Sequence, residues 1–172
     1  MPGTYEPINT TTLSSSATDF TFSAIPSTYT DLILVTSVFG SRAANVDSLA
    51  IRFNGDTASN YSYTYLIGES SAGTISSRAS NQTNIWVGNF TSNSVTQPSV
   101  IIVQIQNYSN TATNKTILSR QNAIAGGTYS IAGANVGLWR STSAINSVTI
   151  RSETGSNFSS GSTFTLYGIK AA

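Results

Sequence analysis

Short runs in which apolar and polar residues alternate recur along the chain, separated by Gly, Asn, Ser and Pro. A period of two marks strands with one buried face, and no stretch of useful length carries the period of an amphipathic helix. Strong helix formers are sparse, while β-branched and aromatic residues are common. Tyr5 to Leu13 reads as a first strand or an extended arm. Phe20 to Ile25 alternates until Pro26, which cannot donate to a ladder, breaks it. Leu32 to Phe39 suits a central strand. Leu49, Ile51 and Phe53 share one face of the next strand, with Ala50 and Arg52 opposite. Further strands are expected near Tyr61 to Ile67, Ile85 to Gly88, Val100 to Gln106, Thr116 to Gln121, Tyr129 to Trp139, Ile145 to Arg151 and Thr163 to Ile169.

These about eleven strands, with turn residues between them, predict an all-β fold. The expected architecture is an antiparallel β-sandwich, jelly-roll-like, in a single domain over residues 1–172. Residues 1–13 are the possible arm. Ser71 to Thr83, "SAGTISSRASNQT", reads as a surface loop.

The stretch "LAIRFNGDTASNYSYTYL" gathers candidate chemistry. Asn54-Gly55 is a turn signal because both residues tolerate positive φ, so "NGDTASN" reads as a hairpin connection. Arg52 lies opposite the apolar face and is expected at solvent or at a partner. Tyr61, Tyr63 and Tyr65 share one face, either as core packing or as a contact surface with polar tips. Trp86 and Trp139 carry the same two readings. If Val136 and Leu138 point inward, Trp139 points outward and becomes an interface candidate, with Arg140 near the strand end. The candidate interface is therefore Arg52, Tyr61, Tyr63, Tyr65, Trp86, Trp139 and Arg140.

Composition then removes whole classes of function. Charged residues are 9% of the chain, well below the roughly 25% of ordinary soluble domains, and the net charge is +1. The basic residues are scattered, without the patch a nucleic-acid binder needs. The chain has no His and no Cys, which excludes Ser-His and Cys-His catalysis and the usual zinc and copper ligand sets. Glu6, Asp19, Asp31, Asp47, Asp56, Glu69 and Glu153 are the acids, and no pair stands out for carboxylate catalysis. No enzyme activity and no cofactor are expected. Asn45, Asp47, Asn54 and Asp56 offer oxygen ligands for calcium, but their spacing matches no EF-hand loop and they are also ordinary turn residues. No run approaches the roughly 20 apolar residues of a membrane helix. "MPGTYEPINTTTL" has neither the basic nor the apolar region of a signal peptide, so export is not expected. A Ser/Thr/Asn-rich chain without an export signal fits a protein assembled in a cell and released by lysis.

Six segments, "TYEPI", "IPSTYTDLILV", "IRFNGDTASNYSYT", "NYSNTATNKTILSR", "VGLWRSTSAINSVTI" and "GSTFTLYGIKAA", carry a resemblance through their order along the chain. Together they resemble a family of small virion proteins of tailed bacteriophages, particularly phages of cyanobacteria and other aquatic bacteria. Glu69 to Val100 is the stretch least like it. The resemblance implies a structural β-sandwich protein of the virion, a homotrimer, with no catalytic residues. The role expected first is a capsid decoration, or cement, protein that binds the outer head surface and stabilises it. The alternative is a tail-fibre or receptor-binding component that contacts host surface glycans. The expected partners are further copies of the chain and the major capsid protein or other virion proteins, with neither nucleic acid nor membrane among them.

Overall fold

The computed structural model describes residues 4–93 and 97–170. Twelve strands and no helix lie among the described residues, and so no helix there is long and apolar enough to cross a membrane. The strands are β1 Tyr5–Thr12, β2 Asp19–Phe22, β3 Asp31–Val38, β4 Val46–Phe53, β5 Tyr61–Glu69, β6 Gly73–Gln82, β7 Ile85–Thr91, β8 Ser99–Ile105, β9 Lys115–Ala125, β10 Tyr129–Trp139, β11 Val148–Ser152 and β12 Thr163–Ile169. They form an antiparallel β-sandwich. The large sheet runs β1-β12-β3-β8-β9-β10-β5-β6 and the small sheet β2-β11-β4-β7. The chain passes repeatedly between sheets, the jelly-roll-like habit, and makes hairpins at β5-β6, β8-β9 and β9-β10.

Most expected strands are present, with two corrections. Ser71 to Thr83 is not a loop, because β6 occupies most of it and pairs with β5. Its side chains are exposed on nearly every position, so no apolar alternation announced it. The segment "NGDTASN" is not a hairpin either. β4 belongs to the small sheet and β5 to the large one, so it is a corner between layers. Residues 5–12 of the expected arm form β1, an edge strand paired with β12 of the same chain. Met1, Pro2 and Gly3 of that arm lie outside the described residues.

The main core lies between the sheets. Leu32, Leu34, Ile101, Val103, Ile117, Phe164 and Leu166 from the large sheet meet Leu49, Ile51, Phe53, Ile85, Val148 and Ile150 from the small one. Burying each such side chain contributes about 1.5–3 kcal/mol, which is what holds two separate ladders face to face.

The edge of the small sheet requires more than apolar packing. β7 pairs with β4 on one side, and its other side faces the inner surface of β8, β9 and β10. Polar side chains from those strands satisfy its backbone. Ser119 Oγ donates to Val87 O at 2.9 Å, and Asn135 Nδ2 donates to Trp86 O at 2.9 Å. Asn89 N donates to Gln121 Oε1, and Thr91 N donates to Ser99 Oγ. Glycine permits the close approach. A Cβ on Gly137 of β10 would lie 2.5 Å from Ile85 Cγ2 and 2.8 Å from Ile117 Cγ1.

This stitching is testable. Ser119→Ala leaves the buried Val87 carbonyl without a donor and lowers unfolding free energy by about 1–3 kcal/mol. The control Thr116→Ala, on the solvent side of the same strand, stays within about 0.5 kcal/mol of the parent. Urea denaturation of both variants reads the difference, and equal losses would reject the role given to Ser119.

Candidate functional site

The corner after β4 is built around Asn54 and Asp56. Asn54 and Gly55 take φ of 52° and 65°, the conformation their side chains allow cheaply. Asn54 Nδ2 donates to Ala144 O, and its Oδ1 accepts from Asn146 N and Ser147 N. Asp56 accepts from Ala58 N at 2.9 Å, Asn60 Nδ2 at 3.0 Å and Trp139 Nε1 at 2.7 Å. Burial acts to raise the Asp56 carboxyl, but those three donors and the Arg52 charge hold it below its ordinary value. Tyr61 is fully buried. Its hydroxyl reaches Phe53 O and Asp56 O and accepts from Phe53 N. Desolvation pushes its pKa from 10.0 to about 12.

Several expected interface residues are therefore structural. Tyr61 and Trp139 stack in the core with ring centroids 6.2 Å apart, so neither offers a surface. The parity expected for β10 is reversed. Val136 is 56% exposed and Trp139 2% exposed. The inward positions Asn135 and Gly137 are polar or small because β7 presses on them, and Gly133 is small because Ile67 of β5 and Gln121 of β9 crowd it, so the apolar alternation pointed to the wrong side. Arg140 donates to Ser59 O, Ser62 Oγ and Asn81 Oδ1 and ties the corner to the end of β6. Arg52 Nε donates to Thr83 O.

The calcium candidates are not brought together. Asp47 and Asn54 lie at opposite ends of β4, roughly 20 Å apart at the rise of a strand. Asp47 is buried and accepts from Ser48 N and from the hydroxyls of Ser152, Thr154 and Ser156. Among the described residues no group of three or more acids could hold a metal ion.

Tyr63, Tyr65 and Trp86 form a separate place. Ile85 enters the main core, and the next residue, Trp86, points to the other side of β7. There it meets Tyr65 at 4.6 Å and Tyr63 at 6.3 Å between ring centroids. The strand β5 thus wraps around the edge of the small sheet. The two tyrosines are half-buried and Trp86 is 6% exposed. Ser48, Asn89, Ile67 and Glu153 complete a cleft of about 250 Å³. Ser48 and Asn89 pair across β4 and β7, and Glu153 N donates to Ser48 O at 2.9 Å. Desolvation raises the Glu153 carboxyl, Arg151 opposes this, and Asp47 adds to it.

A second feature was illegible in the sequence. The outer face of the large sheet exposes Leu66, Val100, Leu118, Ile124 and Val136, each between 40% and 56%. In register, Leu118 lies beside Val136 and Leu66 beside Ala134. Arg78 and Arg120 are the charged residues on this face of β5, β6, β8, β9 and β10, and none of those strands puts an acid there. Conversely, Lys115 is buried, donates to Thr113 O and Thr142 O, and has its pKa lowered by desolvation.

No protein-family model matches the chain, and no curated protein matches it. Among solved structures, the galectin LEC-6 of Caenorhabditis elegans aligns at 7% identity and a TM-score of 0.36, over 95% of this chain and 96% of that one. The structure of infectious bursal disease virus Gt strain aligns at 16% identity and a TM-score of 0.14, over 95% of this chain and 41% of that one. Likenesses this distant carry no argument about function.

Two expected outcomes follow from the corner. Asn54→Ala removes three hydrogen bonds and forces alanine to positive φ, lowering stability by more than about 2 kcal/mol. Asn54→Gly relieves the φ and recovers only part of that loss in the same denaturation assay. The second outcome concerns pH. Between pH 10 and about 12 the Tyr61 phenol keeps its proton in the folded chain and loses it in the unfolded one. The unfolded state then binds fewer protons, so stability is full below pH 10 and falls as pH rises toward 12. Thermal unfolding across this range reads the decline, and Tyr61→Phe makes it shallower, the rest coming from Tyr129, also raised to about 12, and from Tyr63 and Tyr108, raised by burial. An unchanged slope in that variant would show that Tyr61 is not its source.

Proposed function

We propose that the chain is a structural protein of a bacteriophage particle, a capsid decoration protein that binds the outer head surface and stabilises it. The observation that carries this reading is the aliphatic outer face of the large sheet. Contiguous exposed aliphatic side chains on a soluble fold mark a contact surface. This face combines them with small neighbours and almost no charge, so desolvating it on contact costs little. Binding only the assembled shell stabilises that shell by mass action, and repetition on a symmetric lattice adds avidity. The ordered resemblance of the six segments to phage virion proteins supports the same reading. The homotrimer is part of the proposal. The outer edge of β6, with exposed side chains and no partner strand in the sheet order, is a place for another copy to cover.

A second reading, a tail-fibre or receptor-binding component, is favoured by the aromatic cleft. The two are separated by counting. Quantitative mass spectrometry of purified virions should give this chain in simple ratio to the major capsid protein. A handful of copies per particle would move it to the tail, and absence from the particle would reject both readings. Leu118→Lys with Val136→Lys should leave a folded protein that no longer binds purified capsids. Undiminished binding would remove the outer face from the proposal.

A further inference from the structure

The aromatic side chains of this protein divide by what their polar tips do. Tyr29 donates to Glu6, Tyr61 and Tyr108 donate to backbone carbonyls, and Trp139 donates to Asp56. Those polar tips are consumed in holding the fold. Tyr63 OH, Tyr65 OH and Trp86 Nε1 have no hydrogen-bond partner among the described residues; the Tyr5 and Tyr167 hydroxyls share that state elsewhere, but these three converge on one cleft. Trp86 Nε1 is not sealed from solvent as the orphaned Gln121 Nε2 and Asn135 Oδ1 are. The polar groups across the cleft are equally uncommitted. Asn89 accepts from Ser48 Oγ through Oδ1 at 3.4 Å and leaves its Nδ2 donors free. The Glu153 carboxylate accepts no hydrogen bond among the described residues.

From this arrangement we propose that the cleft between Tyr63, Tyr65 and Trp86 is a binding site for an uncharged pyranose unit of a saccharide. A sugar ring has an apolar C–H face and a rim of hydroxyls. The half-buried rings of Tyr63 and Tyr65, 27° from one another and backed by the buried Trp86, offer an aromatic surface for that face. The rim then meets donors at Tyr63, Tyr65, Trp86 and Asn89, and an acceptor at Glu153. The volume of about 250 Å³ suits a monosaccharide-sized group and falls below the ~300 Å³ at which pockets for larger ligands begin. The accessible lining is mostly polar, which suits a ligand rimmed with hydroxyls. Charge sets the selectivity. Glu153 is the carboxylate that lines the cleft, so an acidic sugar meets like charge there and a neutral one does not. The seat belongs to the fold, so the inference stands whether the chain is on the head or the tail.

The experiment titrates the full chain with neutral oligosaccharides of glucose, galactose and N-acetylglucosamine, and with an oligogalacturonate as the acidic probe. Tryptophan emission and saturation-transfer NMR give the readouts. At least one neutral oligosaccharide should bind saturably and perturb emission, while the acidic probe binds at least tenfold more weakly, about one charge-assisted hydrogen bond in magnitude. Trp86→Phe should abolish the emission change, because Trp139 does not line the cleft and its indole N–H is bonded to Asp56. Tyr65→Phe, which removes only the hydroxyl, should weaken binding. Glu153→Gln lies on an exposed residue and should leave the fold unchanged. It should weaken neutral binding and narrow the gap to the acidic probe. Failure of every neutral oligosaccharide to bind would overturn the inference. So would equal binding of neutral and acidic probes with no response to Glu153→Gln. The virion copy number is unaffected by either result, so this inference and the decoration reading fail separately.

Discussion

The free edge of β7 is the constraint on which the sandwich depends. A small sheet of four strands laid on a sheet of eight has an edge that ends over the middle of its partner. Backbone groups there are cut off from water and from any neighbouring strand. Left unpaired, each costs about 1–3 kcal/mol. The protein answers with Ser99, Ser119, Gln121 and Asn135, aimed inward from the large sheet onto that edge. Their price is an inner face that is less apolar than a sandwich core usually is.

That trade shapes both surfaces of β9 and β10. Positions facing β7 must be small or must carry a hydrogen-bonding group, as Gly137, Ser119 and Asn135 show. The opposite positions are then free to be aliphatic, as Leu118, Ile124 and Val136 are. The outer face offered for assembly and the polar stitching inside are two sides of the same strands. Wrapping β5 around the edge of β7 completes the design. It closes the second hydrophobic cluster over Trp86 and opens the aromatic cleft at its margin.

The corner at Asn54 and Asp56 has a different task. It turns the chain from one layer to the other and must hold that turn rigid, because the next strand begins the wrapped edge. Asp56 spends its carboxylate on Ala58, Asn60 and Trp139, and Tyr61 spends its hydroxyl on the corner backbone. Residues that resemble a binding site in the sequence are thereby committed to shape. Tyr63 and Tyr65, two and four positions further along the same strand face, escape that commitment because they meet the edge of the small sheet at Trp86 and not its inner face.

The sequence by itself determined the fold class, most of the strands and the faces of β4, β8, β11 and β12, because alternation is read directly wherever one face meets a continuous apolar layer. It also determined what chemistry is absent, since a chain without His or Cys cannot hide either. It could not determine the faces of β10, the existence of β6, or the division between Tyr61 with Trp139 and Tyr63 with Trp86. Each of those depends on which strand of the other sheet lies above a given position. Local periodicity reports burial of a face only when burial and apolarity coincide. At the edge of β7 they part, because a buried backbone needs polar partners, and only the tertiary structure decides where that edge falls.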